Sequence, residues 1–247
     1  MRKLAIAALA AALFASPALA QKLKSWDQWS QKDAQRILDD SAWGRTQTET
    51  DTSQMFYSPT SAPGVNGARS TSNDSSRQNQ GATNQAVSLN YRIRFFTAKP
   101  VRQAFVRLME LNQPNLPKDM IERLNQFATL HSDRYIIVAV TSDSTDRRYA
   151  GPAEQALGTA TTDMAKNNTY LERKDGKRVF LSEYVPPGKD GFGARFIFPR
   201  TLDGQPFLNP DSGEVRFYSQ FAVGTTSLKL NMRYRISDMI YDGQLEY

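Results

Sequence analysis

VSLNYRIRFFTAKPVRQAFVRLMEL, residues 87–111, decides the class of fold. Its first ten residues alternate, with Val87, Leu89, Tyr91, Ile93 and Phe95 on one side and Ser88, Asn90, Arg92, Arg94 and Phe96 on the other. That two-residue period predicts a strand with one buried face. The period then changes. Pro100 stands where a first helical turn tolerates a missing N–H, and Val101, Ala104, Phe105, Leu108 and Leu111 share one face of a helix. Downstream, PNLPKDMIERLNQFATL predicts a second helix over 117–130 with Met120, Leu124 and Phe127 inward. The continuous apolar run YIIVAVT (135–141) predicts a buried strand. A weaker helix starts near Gly151-Pro152. TYLERKDGKRVFLSEYV reads as a hairpin turning at Asp175-Gly176, and GARFIFPR, EVRFYSQFAV and SLKLNMRYRISDMIY each supply a strand. The order predicts an α+β domain over 87–247: a mostly antiparallel sheet with two to three helices on one face.

Upstream the chain divides three ways. Residues 1–20, MRKLAIAALAAALFASPALA, have the cations Arg2 and Lys3, a short Ala/Leu run and an Ala18-Leu19-Ala20 ending. This is the pattern of a signal peptide cleaved after Ala20, and the apolar run is too short for a membrane span of roughly 20 residues. The expectation is an exported chain, periplasmic or extracellular, with no transmembrane segment once cleaved. Residues 21–45 hold all three tryptophans around SQKDAQRILDD, a short amphipathic helix. Ser30 is its N-cap, Asp33 completes a capping box, and Ala34, Ile37 and Leu38 form its apolar face. Residues 46–86 are rich in Ser, Thr, Asn, Gln, Gly and Pro. They predict a disordered linker, because so few apolar groups cannot offset the entropy of ordering the chain.

Composition narrows the chemistry. Cysteine is absent, which removes thiol nucleophiles, thiolate metal sites and disulfides. His131 is the only histidine. It ends a predicted helix, where the macrodipole favours it without any further role. No cofactor or metal is implied. The formal charge is +6, from 31 basic and 25 acidic residues; without Arg2 and Lys3 it is +4. That is too diffuse to predict nucleic-acid binding, but it favours an anionic envelope component, or a protein partner, over a cationic one.

The feature most suggestive of a site is arginine in alternating strands. Arg92 and Arg94 share a face, as do Arg233 and Arg235, and Arg195 and Arg216 stand in similar aromatic-flanked runs. On one wet sheet face these six guanidiniums would suit carboxylate or phosphate groups, with aromatics free to stack sugars or bases. A wet face filled by long polar residues in internal pairs, with Glu183 or Glu214 for example, reads the same way in sequence. The alternative is a carboxylate-based hydrolase, acting for example on glycans. It would use Asp143 and Asp146 after the 135–141 strand, or the 202–214 loop, although turns and caps are written with the same residues.

Trp26, Trp29 and Trp43, with Ile37 and Leu38, either dock on the chain's own domain or wait for a partner. Bare indoles on an exported protein are a liability, which favours docking in cis. The segments WSQKDAQRILDDSAWGRT, AKPVRQAFVR and ISDMIYDGQLEY resemble a group of uncharacterised exported bacterial proteins. The shared features are a Trp-led KDAxxILxDSxW segment, a PVRQA helix start and a C-terminal MxxxGxLE pattern. The resemblance marks Trp29, Asp33, Ala34, Leu38, Ser41, Trp43, Pro100, Arg102, Gln103, Met239, Gly243 and Glu246 as pattern positions. It implies no catalytic residue.

Overall fold

The structure is a computed structural model that describes residues 24–51, 87–144 and 146–247. The stretch 1–20, read above as a signal peptide, and residues 52–86 of the expected linker lie outside the described residues. In chain order the described elements begin with α1 (Gln31–Asp39), β1 (Gly44–Asp51), β2 (Val87–Phe95), α2 (Lys99–Asn112), α3 (Lys118–Thr129) and β3 (Tyr135–Ser144). Next come α4 (Arg147–Thr159), α5 (Thr162–Ala165), β4 (Thr169–Arg173), β5 (Arg178–Phe180), β6 (Glu183–Val185) and β7 (Ala194–Pro199). The chain ends with β8 (Thr201–Leu202), β9 (Gln205–Pro206), β10 (Glu214–Val223), β11 (Thr226–Arg235), β12 (Ile240–Tyr241) and β13 (Gln244–Leu245).

The α+β class holds, with two principal antiparallel sheets in place of one. The first has the order β1-β2-β3-β7-β6 and the second β11-β10-β4-β5. The predicted alternation of β2 puts Ile93 and Phe95 inward, opposite Val140 and Val138 of β3. The next strand continues these rows with Ala194 and Phe196 of β7, and Phe198 adds a further row opposite Ile136. Leu171, Val215, Phe217, Phe221, Leu228, Leu230 and Tyr234 line the facing sheet. The inner faces meet through edge-on aromatic pairs, Phe95–Tyr234 at 4.9 Å and Phe196–Phe217 at 5.3 Å. Each fully buried side chain of this size contributes roughly 1.5–3 kcal/mol.

Both edges are joined. Between β5 and β6 the chain changes sheet: Leu181 N donates to Thr169 of β4, and Ser182 N to Ile197 of β7. At the other edge a side chain makes the connection. The Gln47 amide of β1 donates to Lys229 O and accepts from Asn231 N of β11, both at 2.8 Å.

Several expectations need correction. Residues 46–51 are strand, fully paired with β2, and not linker. The Trp segment and the 87–247 portion are therefore one packed unit and not separate regions. The strand at 135–141 runs on to Ser144. The helix expected from Gly151 begins at Arg147 and carries Pro152 inside it. Leu111 and Met120, expected inward, are exposed. The cause is that α3 packs only by its C-terminal turn, where Ala128 is buried and Phe127 stacks near Phe96 and Phe192.

The N-terminal helix α1 docks on α2 and on the outer face of the first sheet. Its capping box forms as read: Ser30 Oγ accepts from Asp33 N, and Asp33 accepts from Ser30 N. These hydrogen bonds, the Ser30 hydroxyl first, hold the Asp33 carboxyl below its ordinary pKa. Trp29, Leu38 and Trp43 are buried, and Trp26 and Ile37 are partly buried against the same core. Trp43 Nε1 donates to Glu246 O at 2.8 Å, and its ring meets Tyr241 edge-on. The Glu246 carboxylate accepts from Lys99 N at the start of α2, and Tyr241 OH donates to Gln103. Gly44 is required here, because a Cβ would lie 2.2 Å from Leu38 O. Arg102 caps the end of α3, donating to Phe127 O and Leu130 O. Trp43, Gln103 and Glu246 thus meet at the start of α2.

Candidate binding surface

The outer face of the second sheet carries two adjacent rows that cross all four strands. Register places Arg178 of β5 beside Glu172 of β4, Glu172 beside Arg216 of β10, and Arg216 beside Arg233 of β11. One position along each strand's exposed side run Phe180, Tyr170, Tyr218 and Asn231. Alternation produces both rows: the residues between them (Leu171, Val179, Phe217) are the inward, buried ones.

Glu172 holds two guanidiniums, Arg178 at 2.6 Å and Arg216 at 2.8 Å. Arg216 also donates to Tyr170 OH at 2.9 Å. The hydrogen bond to Glu172 raises the Arg178 pKa, so its charge is permanent. Tyr170 and Tyr218 stack with centroids 5.2 Å apart, and Arg178 covers the Tyr170 ring at 4.3 Å. Arg216 lies 5.5 Å from the centre of the Tyr218 ring. The aromatics therefore stack on one another and on arginine, and the expectation that they would receive sugars or bases gives way to a different role. They hold the Arg178 and Arg216 guanidiniums against their rings by cation–π attraction. Arg216 Nε is buried with no hydrogen-bond partner among the described residues, and Phe180 at the end of the aromatic row is 52% exposed.

The row ends in a cleft of about 480 Å³ lined by Lys174, Gly213, Glu214, Arg233, Arg235 and Ser237. Arg233 pairs with Glu214 at 2.8 Å, and Arg235 approaches Asp238 at 3.7 Å. Across face and cleft, Lys174, Arg178, Arg216, Lys229, Arg233 and Arg235 outnumber Glu172, Glu214 and Asp238.

The structure divides the six arginines read from sequence. Arg216, Arg233 and Arg235 belong to this face. Arg92, Arg94 and Arg195 sit on the other sheet, the first two against Asp39 of α1 and Arg195 against Asp190 of the loop before β7. Arg94 is 3% exposed and donates to Leu38 O, Thr141 Oγ1 and Asp39, and burial lowers its pKa despite Asp39. Arg92 reaches Asp39 and Asp143, and Arg195 pairs with Asp190. Arg178, Glu172, Tyr170 and Tyr218 were not singled out in sequence, although the alternation of the predicted hairpin contained them.

Of the carboxylates considered for hydrolysis, Asp143 is ion-paired through Oδ2, while its Oδ1 is buried with no hydrogen-bond partner among the described residues; Asp146, Asp203 and Asp211 have backbone roles in caps and turns. Asp143 pairs with Arg92 at 3.3 Å, and Asp146 O accepts the first helical bond of α4 from Ala150 N. Asp203 sits in the β8–β9 turn at φ 53°. Asp211 N donates to Asn209 Oδ1 in a capped 3₁₀ turn. His131 is exposed and pairs with Asp133 at 3.0 Å. A second cleft of about 350 Å³, between β3, α4 and the 187–193 loop, has Glu154 as the one carboxylate among its described lining residues. Among the described residues no helix is long and apolar enough to cross a membrane. Comparison with family models, with curated proteins and with solved structures finds no match for this chain.

Proposed function

We propose that this is an exported, non-enzymatic binding protein that recognises an anionic ligand through the outer face of its second sheet. The observation that carries the reading is the row Arg178–Glu172–Arg216–Arg233, in which Tyr170 and Tyr218 contact the Arg178 and Arg216 guanidiniums and the exposed Arg233 leads into a cleft that also holds Lys174 and Arg235. A guanidinium fixed before binding loses little entropy on meeting a carboxylate, phosphate or sulfate. The cation excess also attracts anions at a distance. The leader at 1–20 supports a place in the envelope or outside the cell.

The test is salt elution of the mature chain from an immobilised sulfated dextran. The double variant Arg216→Gln/Arg233→Gln should elute at markedly lower salt than the charge-matched control Lys118→Gln/Lys189→Gln. Equal elution of the two would remove the sheet face as the anion site.

A further inference from the structure

We infer that the open edge of β3 at Ser142–Ser144, apart from the cationic sheet face, takes an extended peptide with a basic side chain as an added strand. The edge arises because the two neighbours of β3 end at different places. β2 stays paired with β3 out to Ser144, whereas β7 leaves it at Val140. Proline and glycine cause the early departure. Pro186 and Pro187, which follow β6, have no N–H to give to a ladder. Gly193 turns the chain at φ 85°, and a Cβ there would lie 2.3 Å from Val140 O. Only glycine can turn so close to β3.

Alternation tells which backbone groups this departure exposes. Ile137 O accepts from Phe96 N, and Ile137 N donates to Thr97 Oγ1, so the odd residues of β3 hydrogen-bond toward β2. The even residues turn toward β7, where Val138 and Val140 face Phe196 and Ala194. Ser142 and Ser144 are the next two in that series, and β7 has no residue paired with them. Among the described residues no loop takes up their backbone N–H and C=O groups.

Ser142 lines the cleft of about 350 Å³ described above, a volume within the range of ligand pockets, roughly 300–1,000 Å³. Glu154, Leu157 and Gly158 line it from one face of α4, being spaced i, i+3 and i+4. Pro187 and three glycines line it from the β6–β7 loop. Glycine walls let a main chain approach where side chains would bar it. Unpaired strand groups on the other wall offer that main chain a donor and an acceptor, the mode of recognition by strand addition. Glu154 is the one charged residue of the described lining, and it has no ion pair among the described residues. It suits a lysine or arginine and opposes an acidic ligand, so the cleft and the cationic face sort partners of opposite charge.

The test is titration of the mature chain with a dye-labelled Thr-Val-Lys-Val-Thr peptide blocked at both ends, read by fluorescence polarisation, with amide exchange followed by NMR. The peptide should bind and slow exchange at Ser142 and Ser144, while Thr141 and Asp143, already turned toward β2, keep their rates. A peptide methylated at every backbone nitrogen keeps the side chains and the charge but should bind at least about tenfold more weakly, having lost its donors. Gly158→Leu fills the cleft from a helical position whose Cβ would meet no atom within 4 Å. It should weaken binding about tenfold or more without lowering the melting temperature, since leucine favours a helix over glycine. Glu154→Gln should weaken the lysine peptide and leave a norleucine counterpart unchanged, which a loss of fold would not do. No binding at about 1 mM peptide, or binding indifferent to Gly158→Leu, would overturn the inference. So would Ser142 and Ser144 amides already protected in the free protein. Protection that rises with protein concentration would assign the edge to a second copy of the chain, and protection that does not would show it covered from within.

Discussion

Two arginine–carboxylate pairs in this molecule have nearly equal lengths and opposite meanings. Arg94 meets Asp39 at 2.9 Å and Arg216 meets Glu172 at 2.8 Å. Under α1 the Arg94 guanidinium spends its remaining donors on Leu38 O and Thr141 Oγ1, so it is consumed by the fold. On the second sheet Arg216 lies beneath a tyrosine pair, with Nε unpartnered and Arg233 beside it. The difference lies in donor accounting. Every Arg94 nitrogen is answered by the protein, whereas Arg216 keeps one nitrogen, the buried Nε, with no hydrogen-bond partner among the described residues.

Substitutions can break that contrast, and the largest effects belong to the buried junction. Trp43→Ala should cost about 3–5 kcal/mol, the range for deleting a large buried aromatic, seen as a lowered midpoint of denaturant unfolding. Arg94→Met should cost about 3 kcal/mol, because Asp39 is left half-buried without its best partner. A loss below about 1 kcal/mol, the scale of an exposed pair, would place Arg94 in the same category as Arg216. Tyr241→Phe should cost about 1–2 kcal/mol by stranding the buried acceptor of Gln103.

Tyr241 also sets an alkaline limit. Burial, with help from Asp242 and Glu246, pushes its pKa up to about 12, and burial with Glu49 does the same for Tyr91. A folded pKa above the ordinary value of about 10 means that the stabilisation is fully present below pH 10 and is lost as pH rises toward 12. Melting temperatures should fall through that window, and less steeply in Tyr241→Phe. The smallest effect belongs to the sheet face. Arg233→Gln should change stability by no more than about 0.5 kcal/mol while lowering the salt needed for elution from a polyanion.

What could be read in the sequence was local. The Ser30–Asp33 capping box, the alternation of β2 and the Asp175-Gly176 turn each fit within ten residues and formed as read. β1 escaped because GRTQTETD offers no apolar residue; its threonines were the available hint, and its strand character comes from pairing with a segment more than 40 residues away. The arginine site was half legible for a related reason. Alternation assigns a side chain to one side of its own strand, but not to one sheet over another. That decision is made by contacts remote in sequence, which placed Arg92, Arg94 and Arg195 on the first sheet and Arg216, Arg233 and Arg235 on the second.

The hydrogen bond from Trp43 to the Glu246 carbonyl spans 203 residues, and it gives the molecule a clock. Trp43 follows the helix α1, and its indole lacks this acceptor until Glu246 has joined the fold. Contacts this distant in sequence form late and slowly. The seam that this bond closes is therefore expected to be among the last parts of the described fold to form.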